Sequence, residues 1–314
     1  MQRILNAVFL VLCFSTFSCG NKQERDPEGM IVYQENQTTW VRNFEPLNPV
    51  SISRWPTRGG IYESLFLNNP ITTDWTPWLA TGYEWRNNNK KLLFNIRFGV
   101  EWSDGKPFSA HDVAYTFNLM KKFPALDSRN SWGFLKSVIA ISDTVIEVDF
   151  KRVYVPGFEA IAGAPIIPKH IWSKLDDPLD FSNPNPVGTG PYTEVLRFNS
   201  QIWELGKNPN YWQPGKPHVE KLIFPTFSTN EQTTLALLSG NLDWAGAFIP
   251  AIQRIFVDKN PEQHHYWFRN TGYSTFLHTN TKDPILKDPN VRKAISYAIT
   301  VSYTHLRAHE TMEY

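Results

Sequence analysis

A mixed α/β fold is predicted by a strand, a turn and a helix that follow one another closely, and by a second pair of strands further along the chain. Residues 92–98 alternate apolar with polar side chains, which is typical of a strand, and Gly99 is expected to end it. The Ser-Asp-Gly sequence at 103–105 predicts a tight turn with a positive φ at the glycine. Ser109 stands three residues before Asp112, which indicates a capping box and therefore the start of a helix.

The spacing of apolar residues supports the helix and the second strand pair. Val113, Phe117 and Met120 fall at positions i, i+4 and i+7, so they predict one buried helical face. Residues 138–140 and 145–150 alternate on either side of a Ser-Asp-Thr turn, which favours another hairpin of the same sheet.

Shorter signals predict the elements on either side. Residues 38–41 are expected to form a strand that leads into a proline-punctuated loop. Residues 164–172 contain two prolines and no periodicity, which indicates a loop that leads into a short helix. Leu235 and Leu238 predict a helix face that Gly240 ends, with a strand resuming at once.

The last predicted helix begins at Asp288. Asp288 suits the N-cap position and Pro289 the first helical position, while Val291 and Ile295 continue one apolar face.

The N-terminus is predicted to be an export signal. Arg3 precedes an apolar run over 4–17 that is shorter than the roughly 20 residues of a membrane span, so a signal peptide over 1–19 is favoured. Ser18-Cys19-Gly20 resembles the lipobox of bacterial lipoproteins, which implies a lipid on Cys19 and membrane anchoring. Simple secretion and a buried N-terminal helix are the alternatives. Residues 20–30 are charged and poor in apolar side chains, and they predict a flexible tether.

Composition limits the possible functions. With 314 residues and 41% hydrophobic content the chain can form two domains, and a net charge of +1 gives no reason to expect nucleic acid or an acidic membrane surface as a partner. A mature chain that begins at Cys19 holds no other cysteine and therefore no disulfide. Twelve tryptophans and 14% aromatic residues fit either an aromatic core or a cleft lined with stacking rings.

Residues 98–117 resemble the signature of the family 5 extracellular solute-binding proteins, the peptide- and oligosaccharide-capturing components of ABC importers. Further landmarks of that family occur in the expected order, at residues 47–49, 61–65, 77–80, 164–172, 187–192, 208–212, 237–244 and 291–299. The landmark at 61–65 corresponds to a helix of the family.

The resemblance implies a periplasmic-binding-protein-like α/β fold of type II, in its large three-domain subclass, with the first lobe and the opening of the second present. The main domain would take residues 31–60 and 181–267, and an inserted subdomain 61–180. Residues 268–299 would start the second lobe.

The same resemblance implies a function without bond chemistry: the protein would capture a peptide in a cleft between two lobes and deliver it to a membrane ABC permease, as an exported, monomeric protein in the periplasm or at the cell surface. An oligosaccharide is the alternative ligand. Ser51, Arg54 and Trp55 fall where the family contacts its ligand, and Trp244 and Phe248 are candidate aromatic contacts.

Other site chemistry finds little support in the sequence. No Ser-His-Asp or paired-carboxylate pattern marks the remaining alternative, a secreted hydrolase, and His170 is expected to be structural. His264 and His265 would point to opposite faces of a strand, so no metal site and no cofactor are predicted. The glycine-rich run at 187–192 leads into a predicted strand rather than a helix, which argues against a phosphate loop.

The C-terminal residues depart from the family pattern. The helix over 291–299 should continue with an Asp-Arg pair, but Thr300-Val301-Ser302 stands there instead. Residues 300–314 resemble the translation of a sequencing adapter, which predicts a non-native tail and a chain that lacks one wall of its cleft and binds no ligand tightly. A natural short paralogue with a divergent tail is the alternative.

Overall fold

The computed structural model describes residues 29–33, 37–47, 56–246, 249–267 and 277–299. Its internal contacts divide the chain into two compact units. The first comprises Met1–Leu67 and Pro77–Ala247, and the second comprises Asn68–Thr76 and Phe248–Tyr314. Within the described residues, none of the helices combines the length and the apolar character that crossing a bilayer requires.

The first unit contains a five-stranded sheet. Its strands are β1 (Gly29–Tyr33), β8 (Tyr192–Phe198), β9 (Ile202–Lys207), β10 (Lys221–Pro225) and β11 (Trp244–Ala245), and they lie in the order β11-β1-β10-β9-β8. β1 runs parallel to both β10 and β11, whereas β9 pairs antiparallel with β10 and with β8. The carboxyl ends of β1, β10 and β11 therefore lie at one edge of the sheet. β8 begins where the glycine-rich run was predicted to enter a strand, so that prediction is confirmed.

Aromatic side chains form the core beside this sheet. Trp203 of β9 stacks on Phe224 of β10 with ring centroids 4.1 Å apart, and Trp40 and Phe44 also contact Trp203. The strand predicted over 38–41 was wrong. The backbone of residues 37–47 makes hydrogen bonds to several different segments instead of to one neighbouring strand. Trp40 N, for example, donates to Ser200 O over 2.8 Å.

A second, four-stranded sheet of the first unit is antiparallel throughout. It comprises β4 (Ala80–Arg86), β5 (Lys91–Ile96), β6 (Leu135–Ser142) and β7 (Val145–Phe150), in the order β4-β5-β7-β6. The predicted hairpin of β6 and β7 is confirmed. β5 ends at Ile96, before the predicted end at residue 98, and Phe98 beyond it is 88% exposed. The domain boundaries at 60/61 and 180/181 stay predictions.

Helix α1 (Ala110–Lys122) packs against the four-stranded sheet as its sequence predicts. Ser109 Oγ accepts a hydrogen bond from His111 N at 3.2 Å, and Ser109 N donates to Asp112 Oδ2 at 3.0 Å, so the capping box is confirmed. Val113 and Phe117 are completely buried. The preceding turn has Gly105 at φ +78°, also as predicted.

Several short elements are also present. Strands β2 (Phe66–Asn68) and β3 (Trp75–Pro77) form a two-stranded sheet, and helices α2 (Gly157–Ala162) and α3 (Lys169–Trp172) belong to the first unit. α3 confirms the short helix predicted after the loop at 164–168.

The prediction of a helix at 61–65 was wrong. The carbonyl oxygens of this segment accept from amides elsewhere, since Ile166 N donates to Glu63 O and Gly190 N donates to Ile61 O.

Helix α4 (Asn230–Leu238) begins at Thr229, whose side chain accepts from Gln232 N, and the chain leaves it through Gly240 at φ +73°. Its predicted apolar face was wrong. Thr233 and Leu237 are its buried residues, whereas Leu235 is 67% exposed.

In the second unit, helices α5 (Ile252–Ile255) and α6 (Pro289–Ala298) are described. Asp288 caps α6 by accepting from Asn290 N at 2.8 Å, which confirms the predicted helix start. Residues 264–267 form no strand, contrary to the expectation for His264 and His265. The His264 ring instead stacks on Phe256 with centroids 3.9 Å apart.

Candidate functional site

Most residues predicted to contact a ligand lie outside the described part of the chain. Ser51, Arg54, Trp55 and Phe248 belong to this group, as does the predicted lipidation residue Cys19.

Trp244 is the member of the predicted set that the structure places. It lies half-buried in β11, where it pairs in register with Val32 of β1. Ligands of open α/β sheets bind beyond the carboxyl ends of the strands, and β11 ends one residue after Trp244. Its role as a ligand contact stays a prediction.

A small cavity lies against both ends of the chain segment that contains the predicted contacts at 51–55. Leu47 on one side of that segment and Arg58 on the other both line it. The remaining lining residues come from the C-terminal end of α1, from the loop after α1 and from the region of α2: Met120, Leu126, Asp127, Ser128, Arg129, Ser131, Ala160, Ala164 and Pro165, with Pro46. Its volume of about 20 Å³ accommodates a water molecule or a small part of a ligand. We call it the arginine cavity.

Two arginines give this cavity its charge. Arg58 Nε donates to Pro46 O over 2.6 Å, and Arg129 Nη1 donates to Glu159 O over 2.8 Å. Both residues remain exposed, so these bonds position the guanidinium groups without enclosing them. Loss of hydration around part of the side chain lowers the pKa of Arg58, the charge of Glu45 raises it, and the like charge of Arg129 lowers it.

Two carboxylates close in sequence to the lining of the arginine cavity, or part of it, accept hydrogen bonds from backbone amides. Glu45, 1% exposed, accepts from Leu47 N at 2.7 Å, and Asp127 accepts from Ser131 N at 2.8 Å. The ion pairs found among the described residues involve other cations. Arg58 and Arg129 offer N–H donors to an anion that enters the cavity, beside the opposite charges of Glu45 and Glu159. Guanidinium groups bind carboxylates in this way, often through two parallel hydrogen bonds.

The glycine-rich run at 187–192 has a packing role. A Cβ atom on Gly188 would lie 2.0 Å from Ile61 O, and one on Gly190 would lie 2.1 Å from Gly60 O. Gly190 N also donates to Ile61 O over 2.9 Å. The two glycines thus allow backbone to pack on backbone, as expected for a structural run rather than a phosphate site.

Sequence reasoning missed a buried carboxylate group close to this packing. Glu63, 1% exposed, accepts hydrogen bonds from the indole N–H of Trp78 at 2.6 Å, the hydroxyl of Tyr211 at 3.1 Å and the indole N–H of Trp212 at 3.0 Å. We call these four residues the Glu63 cluster. The buried Thr189 hydroxyl makes no hydrogen bond within the described structure.

Burial dominates the electrostatics of the Glu63 cluster. Loss of hydration raises the pKa of Glu63 to about 7, although its hydrogen-bond donors favour the charged form. Glu63, Trp78, Tyr211 and Trp212 each lie in one of the family landmarks that the sequence shows. Nothing in the sequence indicated that these side chains meet.

His170 is positioned by a carboxylate. Its Nε2 lies 2.8 Å from Asp104 Oδ2, which joins α3 to the turn at 103–105. No group of three or more His, Cys, Asp or Glu side chains arranged to hold a metal ion occurs in the described ranges.

Comparison with known proteins defines the class. The model of the bacterial extracellular solute-binding proteins, family 5 (middle), matches residues 74–302, well over half of the chain. The chain belongs to this family.

Individual relatives agree with this class. A mannohexaose-bound oligopeptide ABC transporter periplasmic oligopeptide-binding protein of Thermotoga maritima is 28% identical, with a TM-score of 0.78 over 92% of this chain and 54% of that one. The nickel-binding periplasmic protein of Escherichia coli is 25% identical over 84% of this chain and 51% of its own length. The peptide transport periplasmic protein SapA of Haemophilus influenzae is 25% identical over 76% and 49%. The chain thus spans about half the length of these relatives.

Proposed function

We propose that this protein is the solute-binding component of an ABC importer, which captures peptides in a cleft between two lobes and delivers them to a membrane permease. Membership of family 5 supports the transport role over that of a secreted hydrolase. The observation that carries the choice of peptide is the pair of arginines at the arginine cavity.

The arginine cavity suits a carboxylate better than a neutral sugar. Arg129 acts on Arg58 as a like charge, although the Glu45 carboxylate acts on Arg58 more strongly and the Glu159 carboxylate acts on Arg129. An anion bound in the cavity, which holds only a small group, would add a further opposite charge beside both arginines. Every peptide carries such a group at its C-terminus, whereas a neutral oligosaccharide carries none. A hydrogen bond to a charged group contributes about 1.5–3 kcal/mol, which corresponds to a change in affinity of about tenfold or more.

A second candidate ligand is an oligosaccharide. The Thermotoga maritima relative, described as oligopeptide-binding, was solved with mannohexaose. Aromatic side chains such as Trp244 near the carboxyl end of β11 would serve sugar stacking.

We further propose that the protein is exported and anchored through a lipid on Cys19. The apolar segment at 4–17 and the Ser-Cys-Gly sequence at 18–20 support this.

Calorimetric titration of a chain extended to the length of its relatives would separate the two ligands. A peptide with a free C-terminus should bind about tenfold or more tightly than the same peptide amidated at its C-terminus. Joint replacement of Arg58 and Arg129 by Ala should abolish this preference. Arg152→Ala, which removes an exposed arginine that packs over Tyr154, is the matched control and should retain it.

Equal affinity for the free and amidated peptides would contradict the assignment of the arginine cavity. Tight binding of mannohexaose that is unaffected by either arginine would favour the oligosaccharide instead.

A further inference from the structure

Glu63 joins parts of the first unit that are distant in sequence. Its carboxylate accepts from Trp78, which leads into β4, and from Tyr211 and Trp212, which lie between β9 and β10. The two indole rings also pack edge to face, with centroids 5.3 Å apart. One buried carboxylate therefore connects the four-stranded sheet with the five-stranded sheet.

The same residue holds a wall of the arginine cavity. Ile166 N donates to Glu63 O over 3.0 Å, and Ala164 and Pro165, which line the cavity, immediately precede Ile166. On the other side, Arg58 is joined to Tyr62 by an isolated parallel bridge. A movement of Glu63 would therefore be transmitted to the cavity along two routes. One leads through its hydrogen-bond partner Ile166, and the other through Tyr62, the preceding residue.

Protonation changes what the carboxylate can accept. In the charged form both oxygen atoms accept hydrogen bonds, Oε1 from Trp78 and Tyr211 and Oε2 from Trp212. In the neutral form one oxygen atom carries a hydrogen and is a poorer acceptor, so the hydrogen bonds that this oxygen accepts weaken or rearrange. Burial places the pKa of Glu63 near 7, where modest changes of pH populate both forms.

Among the described residues, ionisable side chains close to the carboxylate are Tyr211, within the Glu63 cluster, and Arg97, which packs against it. The Tyr211 hydroxyl bonds to the carboxylate itself, and burial together with the charge of Glu63 raises the pKa of Tyr211 well above its ordinary value. The Arg97 guanidinium lies over the Trp212 ring at 4.6 Å, and its Nε donates to Trp78 O over 2.8 Å. With its raised pKa the Tyr211 hydroxyl stays neutral around neutral pH, so Glu63 is the member of this hydrogen-bonded pair that changes charge.

We propose that Glu63 is a pH-dependent positioning residue, whose charge determines how the Ala164–Ile166 wall of the arginine cavity is held against the two sheets. The inference deepens the proposed function, since the cavity is the part assigned to the ligand carboxylate. The coupling itself can be tested with no solute present, so its failure is distinguishable from failure of the proposed function.

The test is a pH titration of the 314-residue chain monitored by ¹H–¹⁵N NMR, with ¹⁵N in the tryptophan indoles and the isoleucine amides. The indole N–H resonances of Trp78 and Trp212 should shift with one shared midpoint near pH 7. The amide resonance of Ile166 should shift with the same midpoint. Assignments come from Trp78→Phe, Trp212→Phe and Ile166→Val.

Controls within the same spectra separate this effect from general pH sensitivity. The indole N–H of Trp132 donates to Phe117 O at 2.8 Å and should show no transition near pH 7. Glu63→Gln should abolish the transition, whereas Glu194→Gln, at an exposed position of β8, should leave it unchanged. The titration of the unsubstituted protein decides the matter even if Glu63→Gln does not fold.

Indole resonances of Trp78 and Trp212 that stay constant between about pH 5 and pH 9 would overturn the proposal. So would an Ile166 amide that does not respond while both indoles titrate, because the charge of Glu63 would then not reach the cavity wall.

Discussion

Replacing Glu63 with glutamine should change how the stability of the protein depends on pH. A glutamine side chain cannot ionise, so the substitution removes one titration and keeps a similar side-chain volume. Its amide also turns one acceptor into a donor beside an indole or hydroxyl, which lowers stability by an amount that does not vary with pH. The pH-dependent part of the difference between the two proteins therefore reports on Glu63.

The sign and size of this difference are set by the pKa values. The pKa of Glu63 is about 7 in the folded protein and 4.5 for an ordinary glutamic acid, so the folded state binds the proton more tightly. Its contribution to stability is fully present below pH 4.5 and is lost as the pH rises through 7. At about 1.4 kcal/mol per pH unit, the wild-type protein should lose about 3 kcal/mol relative to Glu63→Gln between about pH 4 and pH 8.

Urea denaturation at a series of pH values, monitored by circular dichroism, measures this difference directly. Other groups titrate over the same range, but they do so equally in both proteins and cancel. Glu194→Gln is the matched control on an exposed strand position and should follow the wild-type protein throughout. A difference between wild type and Glu63→Gln that stays constant with pH would refute the argument that burial outweighs the hydrogen-bond donors.

Three further predictions concern the backbone and the predicted anchor. Gly105→Val should lower the free energy of unfolding by about 1 kcal/mol or more because φ is +78° there, and an unchanged melting temperature would contradict this. Gly188→Ala places a Cβ 2.0 Å from Ile61 O and should destabilise by about 1–3 kcal/mol, whereas the control Gly82→Ala meets nothing within 4 Å and should cost much less. Cys19→Ser should move the protein from the membrane to the soluble fraction after cell fractionation, and continued membrane association would argue against a lipid on Cys19.

Local signals made several elements predictable from the sequence. Ser109 with Asp112, and Asp288 with Pro289, mark helix starts through contacts within four residues, and the structure confirms both. The Glu63 cluster could not be predicted in this way, because Tyr211 lies 148 positions after Glu63 and no local pattern records that the two meet.

The face of α4 shows a related limit. Leu235 and Leu238 are the apolar residues that a helical pattern would bury, yet the tertiary structure buries Thr233 and Leu237. Periodicity indicates that a helix has a preferred face, but which residues are covered depends on the elements that pack against it.

The irregular backbone at 61–65 has a physical explanation that unites the cavity with the Glu63 cluster. A helix there would use its carbonyl oxygens internally, whereas the observed chain offers them to Gly190 N, Ile166 N and the amide of Trp78. A buried amide left without an acceptor costs about 1–3 kcal/mol, so forming the helix would sacrifice several such contacts to gain its own. The segment is irregular because other parts of the chain need its hydrogen bonds, and the same bonds join the cavity wall at Ile166 to the Glu63 cluster.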